Sequence, residues 1–243
     1  MNDLSGEVRR LCIALDVDKY DTRSGAEQRE IQRRLAEVIA EAGREAGLDR
    51  LYAAEHGTPV QEGTATVMFR QEQRDGLLLL LPSGVSEARV IAGFVGELRV
   101  ALRKHNRHLG ADAAERLRLR VAFHQGPTWV GDGGFAGRAV TMVCRLRDSD
   151  ELGAALARDP GADLAVIVSA QLFEDVIEHE YRDLRKHMFH HVRVRSSDVA
   201  TDAWISVPDS APALDLPHPA RPVLAPPRER AGRFGPIVNI DEY

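Results

Sequence analysis

The sequence predicts an α+β domain with helices covering an antiparallel sheet, in the element order of a ferredoxin-like core. Three observations predict it. Apolar residues alternate between short strand-like runs and stretches at helical spacing; the alternation follows the order β-α-β-β-α-β, then α, β, α, β and β; and it stops after Val207, where prolines crowd the chain. The expected arrangement is one helical layer over the sheet.

Leu11 to Leu15 is a short apolar run closed by Asp16, which reads as a buried strand ending in a polar site. Between Ser24, a plausible cap, and Gly47, residues Ile31, Leu35, Val38, Ile39 and Ala42 recur at helical spacing. Ala65 to Arg70 and Gly76 to Leu81 flank a polar turn containing Asp75 and read as a hairpin. Val90, Ile91, Phe94, Leu98, Ala101 and Leu102 mark a second amphipathic helix. Leu117 to His124 alternates as a strand, and Val140 to Leu156 has the pattern of one helix. Ala165 to Val168 is a strand whose end, Ser169, is placed to cap a short helix. Val192 to Val194 and Ala203 to Val207 supply two more strands. No internal repeat is present.

At 243 residues and 44% hydrophobic content the chain can bury one sizeable core, so the expected organisation is one domain, 1–207, and a tail, 208–243. Eight of the twelve prolines lie from Pro208 onward, which makes the tail extended or disordered. Its last piece, Phe234 to Tyr243, regains apolar residues that could dock elsewhere. A net charge of −5 and a pI near 6.0 give no basic surplus for nucleic acid or anionic lipid. Cys12 and Cys144, both in apolar stretches, suggest neither a disulfide scaffold nor a thiolate metal site. No apolar run approaches the ~20 residues that span a bilayer. The expectation is a cytoplasmic protein with no membrane or nucleic-acid partner.

Two carboxylates have a chemical reading. Asp16 closes the first strand and Asp75 sits in the turn of the following hairpin, so if those strands are neighbours the two meet at one sheet edge. Magnesium asks for such hard oxygen ligands, few in number, with phosphate oxygens completing the shell. Ordinary strand-end and turn aspartates would look the same, and spacing leaves both readings open.

Four local words, in order, add to that. Ala14-Leu15-Asp16-Val17-Asp18-Lys19-Tyr20 resembles the first metal motif of class III nucleotide cyclases, an aspartate at a strand end followed four residues on by an aromatic. Arg74-Asp75-Gly76-Leu77 resembles the second metal motif. Arg120-Val121-Ala122-Phe123-His124-Gln125-Gly126 is similar to the family's strand ending in His-x-Gly. Gly137-Arg138-Ala139-Val140-Thr141-Met142-Val143-Cys144-Arg145-Leu146 resembles the helix start that carries the transition-state asparagine and arginine.

The resemblance implies a cyclase catalytic domain, ferredoxin-like, working on a nucleoside triphosphate with two Mg²⁺ or Mn²⁺ ions across a homodimer interface. It implies that Asp16, Asp75 and the carbonyl of Val17 hold the metals and that Tyr20 lies on the substrate side. Arg145, supplied by the partner chain, would neutralise charge on the α-phosphate. Arg195 falls near the family's lysine for the terminal phosphates. Departures accompany the matches: Thr141 stands at the asparagine position, and the bulky Arg74 precedes Asp75 where the family has glycine. The base-selecting positions align with Gln71 and Gly134, so neither purine signature is present. A glutamine both donates and accepts and could read uracil, cytosine or adenine. In its stand-alone architecture the chain also resembles bacterial relatives that include the pyrimidine cyclases of antiphage signalling, and with the missing purine residues the resemblance implies UTP or CTP as substrate. The rival reading is a degenerate cyclase-like domain that binds nucleotide or a partner protein. A third is another nucleotidyl transfer on the same sheet, against which the absence of a Gly-Gly-Asp/Glu-Glu-Phe word counts.

Other conspicuous residues have plainer readings. His187, His190 and His191 lack a fourth ligand at metal spacing. Gly131 to Gly137 lacks the lysine of a P-loop and reads as a mobile loop. His124 is expected to pack or hydrogen bond inside the sheet, and Trp129 and Trp204 to anchor a core or an interface.

Overall fold

The computed structural model describes residues 7–48, 69–110, 113, 115–131, 134–181, 184–196 and 199–208. These lie within one compact unit, Met1–Pro212. The tail expected at 208–243 falls, apart from Pro208, outside the described residues, as do residues 65–68 of the expected hairpin.

The first strand, β1 (Val8–Val17), is followed by α1 (Gly25–Glu45), which opens on a complete capping box: the Ser24 hydroxyl accepts from the Glu27 amide and the Glu27 carboxylate accepts from the Ser24 amide. The hairpin β2 (Phe69–Glu72) and β3 (Gly76–Leu80) leads into α2 (Glu87–Asn106) and the long strand β4 (Leu119–Gly131), which folds back through β5 (Gly134–Ala136). Then come α3 (Arg138–Arg147), α4 (Asp150–Arg158), β6 (Leu164–Ser169) and the short α5 (Ala170–Leu172), which runs into a π-helical turn at Phe173–Ile177. The edge pair β7 (His190–Ser196) and β8 (Val199–Ser206) completes the order.

Strands pair in the order β2-β3-β1-β4-β6-β8-β7, with β5 off this path on β4. The first four make the antiparallel split-βαβ arrangement of a ferredoxin-like core. The pair β4–β6 is parallel, so the sheet as a whole is mixed rather than antiparallel throughout.

Two further expectations are corrected. The helices form two layers, one on each face. Leu11, Ile13, Leu15 and Val17 pack with Ile31, Leu35 and Val38 of α1 and Ile91, Phe94 and Leu98 of α2, whereas Cys12 and Ala14 pack with Val143 and Leu146 of α3 and Leu152 and Leu156 of α4. Successive residues of a strand point to opposite faces, so a run buried at every position needs cover on both. The single helix expected at Val140–Leu156 is two helices. Ser149 separates them: its hydroxyl donates to the Leu146 carbonyl (2.7 Å), closing α3, and accepts from the Leu152 amide (3.4 Å), opening α4. At Ser169 the chain does turn into a helix, but the side chain makes no capping hydrogen bond.

Candidate active site at the end of the first strand

The pairing register places Asp16 between Gly76 of β3 and Arg120 of β4. By strand alternation its side chain shares the face of Cys12 and Ala14, under α3 and α4. Asp75 follows from the turn: the Val17 amide donates to the Asp75 carbonyl (2.9 Å), and the Gln73 amide to the Gly76 carbonyl (2.9 Å). A Cβ on Gly76 would stand 1.9 Å from the Leu15 carbonyl oxygen, so only glycine lets β3 come this close to β1. The bulk of Arg74 is accommodated outward, where its guanidinium meets exposed Asp21 at 2.5 Å and its carbonyl accepts from Gln32.

Asp16 is 1% exposed, and both its oxygens are engaged. Arg120 donates in a fork, Nε to Oδ1 at 2.9 Å and Nη2 to Oδ2 at 2.6 Å. Arg147, at the end of α3, brings Nε to 3.5 Å from Oδ2. Its guanidinium also donates twice to Asp148 and once to the Gln73 side chain, on the turn that carries Asp75. Burial pushes the Asp16 carboxyl up to about 6 against the pull of both arginines, with the nearby Asp75 charge adding to the rise. Arg120 is also partly buried, which works against its charge, yet the bonds to Asp16 and nearby acidic charges hold its pKa above the usual value. The two shifts point opposite ways about the pair. The forked geometry decides for an ion pair at neutral pH, where a carboxyl of pKa about 6 is still largely ionised.

Asp75 is half-buried, and its carboxylate has no hydrogen-bond or ion-pair partner among the described residues. Two hard carboxylates at adjoining strand ends, one of them without a partner, fit a divalent ion in kind and number, with water and phosphate oxygens left to fill the shell. Among the described residues no group of three or more His, Cys, Asp and Glu could hold an ion.

The other residues singled out by sequence are dispersed. Tyr20 is buried in the core cluster on the far face, beside α1. Thr141 and Arg145 are exposed on α3, whereas Ala139, Val143, Leu146 and Arg147 of the same helix are buried, so the first pair faces away from this chain's own Asp16. Gln71 is exposed on β2, opposite Leu78, and Gly134 pairs with Gly131 at the tip of the β4–β5 turn. Arg195 is exposed on β7, four strand positions from β1, or roughly 19 Å along the sheet. His190 and His191 lie on β7, where His191 meets Asp202. Trp129 is exposed, and Trp204 stacks on Phe173 at 3.7 Å.

Two solved structures share this architecture. The adenylate/guanylate cyclase/hydrolase from Silicibacter pomeroyi superposes with a TM-score of 0.51 at 19% identity, covering 84% of this chain and 99% of that one. The guanylate cyclase domain of RhGC from Catenaria anguillulae, in complex with GTP, gives 0.50 at 11% identity over 82% and 95%. The fold is that of an adenylate/guanylate cyclase catalytic domain. At these identities the likeness is one of fold, and no protein-family model and no curated protein matches the sequence.

On the cyclase fold, Arg120, Arg147 and Gln73 are the residues that sequence reading missed. Arg120 opens the stretch Arg120 to Gly126, but its pairing with Asp16 depends on the β1–β4 register. Arg147 lies two positions beyond Arg145, which turns it by about 200° to the opposite side of the helix.

Proposed function

We propose that the chain is a class III nucleotide cyclase that converts a nucleoside triphosphate into a 3′,5′-cyclic nucleotide and pyrophosphate. The observation that supports this reading is the placement of Asp16 and Asp75 at adjoining strand ends, with Gly76 opposite Asp16, on a cyclase fold. The metals would be two Mg²⁺ or Mn²⁺ ions, which Asp16, Asp75 and the Val17 carbonyl would hold. Bound there, they supply acidification of the ribose 3′-hydroxyl and charge neutralisation on the phosphates. In the reaction the 3′-oxygen bonds to the α-phosphorus, the bond to the bridging oxygen of pyrophosphate breaks, and the hydroxyl proton passes to water.

Arg145 is exposed on a face turned away from its own chain's Asp16, which suits a residue delivered to the site of a second copy in a homodimer. Thr141, one helical turn earlier on that face, orients the ribose less firmly than an amide side chain would. UTP or CTP is the substrate we favour, on the strength of Gln71 in place of a purine-selecting charge, with a cyclic pyrimidine antiphage signal as product. The test incubates the chain with ATP, GTP, CTP and UTP separately, with Mn²⁺ and then Mg²⁺, beside D16A and D75A. A cyclic monophosphate from a pyrimidine triphosphate, lost in both variants, is expected; turnover of ATP or GTP alone removes the pyrimidine assignment.

A second reading has an observation of its own. Both oxygens of Asp16 are given to Arg120, and the Thr141 hydroxyl lies 3.4 Å from the Gly137 carbonyl, within its own helix turn. That arrangement also suits a catalytically degenerate domain that binds nucleotide or a partner protein. No product from any triphosphate, with metal-independent binding of a nonhydrolysable analogue, would favour it.

A further inference from the structure

Both oxygens of Asp16 are covered by the Arg120 guanidinium. The Asp16 side chain is 2% exposed, whereas that of Arg120 keeps 21% of its surface open to water, so of this pair the arginine is the member in contact with solvent. On the helix side α4 presents Gly153, whose hypothetical Cβ would stand 3.7 Å from Arg120 Nη1, so the guanidinium head has room beside it. Arg147 differs from Arg120. Its side chain is only 10% exposed and is tied at the same time to Asp148 and Gln73, so it is a fixed charge.

We propose that Arg120 is a cation latch on Asp16, displaced by a divalent ion and thereby released toward the phosphates that arrive with that ion. The inference rests on reading Asp16 and Asp75 as the metal carboxylates. In the latched state the guanidinium already neutralises Asp16, so a divalent ion alone gains little by displacing it, because it must break a forked, charge-assisted pair inside a dry site. A triphosphate changes the balance by offering the freed guanidinium a new anionic partner. Metal and triphosphate therefore bind with positive coupling, each raising the affinity of the other by the same factor. The fixed Arg147 remains near Asp16 throughout and holds the turn that carries Asp75.

The latch is read by metal binding, without turnover. Mn²⁺ binding to the full chain is followed by electron paramagnetic resonance and calorimetry, with and without a nonhydrolysable triphosphate. The parent is expected to bind Mn²⁺ weakly alone and at least tenfold more tightly with the triphosphate. R120Q is expected to bind Mn²⁺ alone at least tenfold more tightly than the parent and to lose most of the coupling, and D16N to abolish the gain when combined with R120Q. An R120Q affinity for Mn²⁺ equal to or below the parent's overturns the latch. If R120Q does not fold, the parent alone decides: the Arg120 Nε–H resonance, held by Asp16, should shift and lose its protection from exchange as Mg²⁺ and the triphosphate saturate the site. An unchanged resonance at saturation overturns the proposal. A chain that shows the exchange but forms no cyclic product keeps the latch and loses the proposed activity, and a chain that cyclises with an unmoved Arg120 does the reverse.

Discussion

At Gly76 the close approach of two strands leaves no room for a methyl group. Placing a Cβ 1.9 Å from the Leu15 carbonyl means that G76A must push β3 off β1 at the register position where Gly76 lies opposite Asp16 and next to Asp75. The expected cost is roughly 2–4 kcal/mol, read as a lower denaturation midpoint, with metal binding lost beyond what the stability change explains. His124 makes a different prediction. It lies opposite Cys12, its Nδ1 has no hydrogen-bond partner among the described residues, and burial, with the Arg9 charge adding to it, lowers its pKa to about 4. A depressed folded pKa means that stability present above the unfolded value of about 6.5 is lost as pH falls from there toward 4. Partial exposure of the ring holds the loss to on the order of 2 kcal/mol. Asp16 works in the opposite sense below about 6, so the comparison that matters is H124Q with the parent: acid unfolding of H124Q should begin at lower pH, followed by circular dichroism. Residues of this kind differ in how far sequence exposes them. The placement of Asp16 and Asp75 at adjoining strand ends is legible because each closes or opens an apolar run. Arg120 was not, because its meeting with Asp16 is a cross-strand register between residues 104 positions apart.

Element by element, the pattern of apolar residues gave the strands and helices their places but not their breaks or their layers. The run from Val140 to Leu156 keeps a helical period across Arg147, Asp148 and Ser149, so nothing in its spacing marks the division between α3 and α4. What divides it is a buried serine hydroxyl that serves both helices at once. S149A leaves the Leu152 amide and the Leu146 carbonyl without that partner. It is expected to lower stability by about 1–2 kcal/mol in chemical denaturation, more than an alanine at an exposed cap would. Because Arg147 ends α3 immediately before this break, loosening the joint should also weaken the contact to Gln73. The double layer of helices was in principle readable, since an unbroken apolar run such as Leu11 to Leu15 means burial on both faces. A ferredoxin-like order with its single helical layer argued the other way, and the second layer came from α3 and α4, which lie outside that order.

For the molecule as a whole, the arrangement of α3 decides what one copy can do alone. Arg147 faces inward to its own Asp16 while Thr141 and Arg145 face solvent on the other side, so no single chain brings Arg145 to its own carboxylate pair. If the activity proposed here needs both, it needs two chains, and each of the two sites then takes its metal carboxylates from one copy and its arginine from the other. D16A and R145A should each be inactive as purified dimers for different reasons. Mixed in equal amounts and allowed to exchange subunits, half of the dimers become heterodimers, in which one site combines both defects and the other has neither. The mixture should therefore recover about a quarter of the parent's activity, and D16A mixed with D75A should recover nothing, because every site in that mixture has lost a carboxylate. Recovery in the first mixture with none in the second assigns Arg145 to the partner's site. No recovery in either, with subunit exchange verified by mass, would mean that Arg145 acts within its own chain or not at all.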